Sequence, residues 1–97
     1  MRLVIVRYRV KPDRVEEHEA LLRAVFDELR ERAPAGLRYA ASKQTDGVSF
    51  VHSAFLDSED NPLPRLPSFR AFVQHIAERC DEPPATTELS VLGAYGL

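Results

Sequence analysis

Five side chains hold most of the chemistry this sequence offers: Tyr8, His18, Tyr39, His52 and His75. Imidazole is the side chain whose charge changes near neutral pH, and a phenol sets one donor and acceptor oxygen at the tip of an apolar ring. Gathered in a partly apolar pocket, such groups bind a phenolic or carbonyl ligand or shuttle a proton. His52 is the expected base, with Tyr8, Tyr39, His75 and His18 as the groups that orient a ligand. Plainer roles compete with these. A histidine on an apolar face is often a core or boundary residue with one satisfied hydrogen bond, and tyrosines often pack with the hydroxyl in solvent. His18, beside Glu19 near a helix start, reads as an edge residue.

Other chemistries find less support. No pair of histidines stands at the helical spacing of a zinc protease motif, and the single cysteine, Cys80, cannot build a thiolate site. Three histidines converging from separate elements are the one route to a metal centre, and no metal or cofactor is expected. There is no serine elbow and no phosphate-cradling glycine loop. Asp81-Glu82 beside prolines reads as a solvated cap, and Cys80 on an apolar stripe as inert core.

The elements that must position these residues are set by a hairpin signal. Asp46-Gly47 stands between two alternating runs, 37–44 and 48–56, and the pair suits a tight turn demanding positive φ. A two-residue loop there pairs Lys43 with Phe50, Ala41 with His52, Tyr39 with Ala54 and Leu37 with Leu56. One face of the ribbon then carries His52 and Tyr39 among apolar residues. Residues 2–10 read as a strand with Val4, Val6, Tyr8 and Val10 on its more apolar side. Pro12 and the acidic residues after it open a helix, its stripe running from Val15 through His18 to Ala33. Pro67 opens a second helix whose stripe is Phe69, Phe72, Val73, Ile76 and Cys80, with Pro83-Pro84 ending it. His75 lies one position off that stripe. A last strand is expected from about Thr86 to Tyr95.

The order β-α-β-β-α-β is that of the ferredoxin-like α+β fold: a four-stranded antiparallel sheet with two helices on one face. The other face would expose Leu3, Ile5, Val51, Phe55 and Leu92 among serines and arginines. That is too apolar for a lone monomer, so a homodimer packed sheet to sheet is expected. Arg7 and Arg9 would project there and pair with Glu88 or with the partner chain.

Composition bounds the rest. The chain is one domain, 1–97, with 44% hydrophobic and 29% charged residues. Its 13 basic and 15 acidic residues are interspersed, which argues against nucleic acid as partner. No apolar run approaches the roughly 18 residues of a membrane span, no signal peptide is visible, and one cysteine fits a reducing compartment. Those features lead to an expected cytoplasmic location.

The run Val4 to Pro12, the acidic helix after it, Asp46-Gly47-Val48-Ser49-Phe50-Val51-His52, the Pro67-to-Cys80 segment and Cys80-Asp81-Glu82-Pro83-Pro84 together resemble the antibiotic biosynthesis monooxygenase superfamily, in particular its small single-domain members. The resemblance covers almost the whole chain and implies a dimeric α+β barrel with a pocket between sheet and helices in each subunit. Its implied activity is cofactor-independent oxygenation of a small aromatic or quinol substrate. The alternative is a non-catalytic homodimeric module of the same fold that binds a small molecule or serves assembly. The haem-degrading branch uses an Asn on the first strand and a Trp and a His on the second helix. Here Val6 and Arg7 occupy that strand, there is no Trp, and only His75 corresponds.

Overall fold

A computed structural model describes residues 1–97. The strands are β1 (Arg2–Val10), β2 (Leu37–Lys43), β3 (Ser49–Leu56) and β4 (Cys80–Ser90), and the helices are α1 (Val15–Arg32) and α2 (Pro67–Val73). The strands form one antiparallel sheet in the order β2-β3-β1-β4, which is the ferredoxin-like α+β arrangement. Both helices lie on one sheet face. Val25 of α1 and Phe72 of α2 close a core with Tyr8, Val10, Phe50 and Cys80 from the strands.

The hairpin register is the expected one: Leu37 opposite Leu56, Tyr39 opposite Ala54, Ala41 opposite His52 and Lys43 opposite Phe50. The turn differs. Gln44 N–H donates to the Ser49 carbonyl at 2.8 Å and Gly47 N–H to the Gln44 carbonyl at 2.9 Å, so the loop is Thr45–Val48, four residues rather than two. Both loops share a centre, so register survives. Gly47 takes φ +79°, where a side chain would be strained. The Asp46 carboxylate accepts from the amides of Val48 and Ser49 and from the Ser49 hydroxyl, which hold its pKa below the ordinary value.

The second half of the chain departs further from expectation. α2 ends at Val73 instead of reaching Cys80, and Gln74 is extended (φ −62°, ψ 125°). His75 is left-handed at φ 61°, and a short 3₁₀ turn, Ile76–Arg79, leads into β4. The strand therefore begins at Cys80, six residues before its expected start at Thr86, and ends at Ser90. Pro83 and Pro84 lie within it rather than after a helix. They are tolerated because β4 is an edge strand and its pairing to β1 shifts register between Arg7 and Arg9.

That registration also corrects the last strand's facing. Leu89 pairs with Leu3 and Thr87 with Ile5, so these join the uncovered face, while Thr86, opposite Val6, turns towards the helices. Leu92 lies beyond β4 and is fully exposed. Arg9 pairs with Glu82 at 3.0 Å, and Glu88 is taken by Arg2 at 3.2 Å. No helix is long and apolar enough to cross a membrane.

Candidate functional site

The site is built by strand register. His52 on β3 stands opposite Val6 of β1 on one side and Ala41 of β2 on the other. Tyr8 pairs with Phe50 and Tyr39 with Ala54, each one pair away along the same face, so both phenols lie diagonal to the imidazole. Diagonal neighbours on an antiparallel face are within reach of aromatic side chains. Tyr8 Oη lies 2.6 Å from His52 Nε2, and Tyr39 Oη hydrogen-bonds His52 Nδ1. Both ring nitrogens of His52 are thus engaged. The ring of the expected base also edges the cavity described below, with a phenol on each nitrogen.

His18 is not the edge residue its neighbours suggested. It is fully buried, with its Nε2 2.6 Å from Tyr8 Oη and its ring against Phe50 and Phe72 at 5.0 and 4.9 Å. The group that sequence reasoning missed is Arg79. Only 3% exposed, it donates from Nε to His18 Nδ1 at 3.2 Å and through its two terminal nitrogens to the carbonyls of Phe72 (2.5 Å) and Gln74 (3.3 Å). A signal existed: Arg79 falls seven residues after Phe72 and three after Ile76, on the apolar stripe itself. His75 is the opposite case. Its side chain is two-thirds exposed and paired with Glu78 at 3.2 Å, because the left-handed turn carries it out to the surface. The three histidines do not converge.

Burial governs the electrostatics. Both imidazoles are pushed down to about 4, foremost by desolvation, which penalises their charged forms; for His18 the Arg79 charge adds to the effect. Both are therefore neutral at pH 7. Desolvation drives the Tyr8 and Tyr39 phenols well above their ordinary range, so they keep their protons. The Cys80 thiol is likewise raised by burial.

Beside this cluster, between the sheet and α2, lies a cavity of about 350 Å³. Its walls are mostly apolar, among them Val4, Val6, Phe69 and Ile76, and its polar wall is formed by Tyr8, His52 and Tyr39. Phe50 stacks on Tyr8 and Phe26 on Tyr39, so neither ring fills it. Another groove of about 410 Å³ runs between α1 and β2, edged by Glu19, Asp27, Arg30 and Lys43. Those charges are paired within it, Lys43 to Glu19 at 2.8 Å and Arg30 to Asp27 at 3.4 Å, as on an ordinary solvated surface.

No family model and no curated protein matches the chain. Solved structures do. Rv0793 from Mycobacterium tuberculosis is 26% identical with a TM-score of 0.77, over 96% of each chain. A candidate antibiotic biosynthesis monooxygenase from Nitrosomonas europaea is 19% identical with a TM-score of 0.80, over 96% of this chain and all of the other. A crystallised antibiotic biosynthesis monooxygenase is 17% identical with a TM-score of 0.76, again over 96% of this chain and all of the other. This chain shares its fold with solved structures named antibiotic biosynthesis monooxygenases.

Proposed function

We propose that this protein binds a small aromatic or quinol ligand in the cavity between sheet and helices and acts on it as a cofactor-independent monooxygenase. The observation that carries this reading is the cavity itself: about 350 Å³, apolar on most sides, with three convergent polar groups on one wall. A pocket of that size and lining suits a one- or two-ring aromatic compound whose oxygen meets the phenols. Tyr39 and Tyr8 orient the ligand oxygen, and His52 positions both phenols from behind. The uncovered sheet face, with Leu3, Ile5, Phe55 and Leu89, is proposed to pair with a second copy of the chain, leaving one cavity per subunit.

One observation favours a second reading, a binding module without turnover: neither nitrogen of His52 is free to take a proton from a ligand. Oxygen uptake with a panel of quinols and polycyclic phenols, alongside binding followed by NMR shifts, separates the two. Uptake that falls at least tenfold in His52→Ala and Tyr39→Phe supports the oxygenase. Binding without uptake leaves the module. Neither binding nor uptake across the panel overturns both.

A further inference from the structure

We propose that Arg79 fixes the direction of a five-residue hydrogen-bond chain, so that Tyr39 presents its hydroxyl to the cavity as a donor and selects ligands carrying a carbonyl or oxyanion. This deepens the proposed function and rests on the cavity being the binding site. The chain runs Arg79, His18, Tyr8, His52, Tyr39, with a recorded contact at every link.

The direction follows from donor inventory. A guanidinium only donates, so His18 Nδ1, facing Arg79 Nε, must be an acceptor. A neutral imidazole carries one proton, so His18 holds it on Nε2 and donates to Tyr8 Oη. Tyr8 spends its own proton on the one acceptor left to it, His52 Nε2. His52 then carries its proton on Nδ1 and donates to Tyr39 Oη. The Tyr39 proton has no acceptor within the protein, and Tyr39 lines the cavity beside His52. Reversing the order would set a His18 Nδ1–H against Arg79 Nε–H, two donors face to face in a dry interior.

Arg79 cannot swing away to permit that. Each of its terminal nitrogens donates to a carbonyl, of Phe72 or Gln74, and its guanidinium lies 5.6 Å from the Phe72 ring centroid. The positive charge at one end polarises each link towards the other, and chained hydrogen bonds strengthen one another in a low-dielectric interior. The open end of the chain therefore stabilises negative charge on a ligand oxygen, as an oxyanion-binding donor does. Its oxygen already accepts from His52, so the hydroxyl meets a ligand acceptor better than a ligand donor. Arg79 is a positioning residue in this scheme: it touches no ligand and acts through the four groups after it.

The test has two independent arms. Nitrogen-15 NMR of the histidine-labelled protein at pH 7 reads the tautomers directly; His18 is expected protonated on Nε2 and His52 on Nδ1, and the reverse pattern at either overturns the proposal. In Arg79→Met the His18 signals should become a mixture of tautomers, which a merely structural arginine would not cause; if that variant does not fold, the unmutated spectrum still decides. The second arm compares 2-acetylnaphthalene with 2-ethylnaphthalene, alike in shape but differing in the carbonyl. The ketone should bind about tenfold more tightly, and Tyr39→Phe should abolish the difference. Equal affinity in the unmutated protein sinks the donor assignment while leaving the cavity as the binding site. Failure of both compounds to bind removes the cavity reading, on which the ligand selection depends.

Discussion

His52 shows how little of a residue's role is carried by its type. Its two nitrogens sit between two phenols that burial keeps protonated, and its ring is held neutral at pH 7. Replacing it with alanine opens space beside the cavity and strips a partner from both hydroxyls, for an expected loss of about 2–3 kcal/mol in urea unfolding. His75→Ala, at the surface, should stay within about 0.5 kcal/mol. The buried pair also sets an acid limit. The folded pKa values of His18 and His52, about 4, lie below the ordinary histidine value, so between about 6.5 and 4 the unfolded chain binds more protons than the folded one. Stability contributed by these neutral histidines is thus complete above pH 6.5 and declines as pH falls towards 4. The slope is up to about 1.4 kcal/mol per pH unit for each histidine. Denaturation midpoints taken at half-unit steps from pH 7 to 4 check this, and His18→Gln should flatten the curve.

At the scale of elements, α1 does more than cover the sheet. Glu28 reaches across to α2, where its Oε1 accepts from the Ser68 amide at 3.0 Å and the Ser68 hydroxyl at 2.6 Å, while Arg32 donates to Oε2 at 2.7 Å. The Ser68 bonds lead in holding its carboxyl below the usual range. A carboxylate from one helix therefore caps the start of the other. Glu28→Ala should cost about 1–2 kcal/mol, and Glu28→Gln less, measured by thermal or urea unfolding. The left-handed turn at His75 is the other joint. A non-glycine residue there carries conformational strain, so His75→Gly should raise stability by about 0.5–1 kcal/mol despite losing the Glu78 pair.

These joints also mark where the sequence stopped being informative. The Asp46-Gly47 signal and two-residue alternation determined which way Tyr39 and His52 point, because a one-residue slip would have reversed every side chain. α2 is shorter than its pattern, because Phe69, Phe72, Val73, Ile76 and Cys80 keep a helical period that is used only as far as Val73. No proline or glycine interrupts it. The break is stabilised instead by Arg79, whose guanidinium takes the Phe72 and Gln74 carbonyls that a continuing helix would have satisfied. That is a long-range side-chain choice, invisible to a local pattern. The burial of His18 is hidden from a local pattern for a related reason: its surroundings are set by Phe50 and Phe72, distant in sequence.

Over the whole molecule, the two sheet faces divide the labour. The covered face holds the core, His18, His52 and the cavity. The other carries Leu3, Ile5, Val51, Phe55 and Leu89, an apolar surface crossing three strands. Pairing of two copies through it should give a species of twice the 11.0 kDa chain mass in sedimentation at micromolar concentration. Phe55→Glu places a charge on this surface opposite Leu3 and should shift the species to the monomer while leaving the covered face folded. A monomer in the unmutated protein would remove the proposed pairing. The cavity itself is best tested by methyl-labelled NMR of the protein titrated with 2-acetylnaphthalene. Shifts concentrated at Val4, Val6, Leu63 and Ile76, with Tyr39 ring contacts to the ligand, are the expected result. Shifts confined to the uncovered sheet face, or none at saturating ligand, would contradict it.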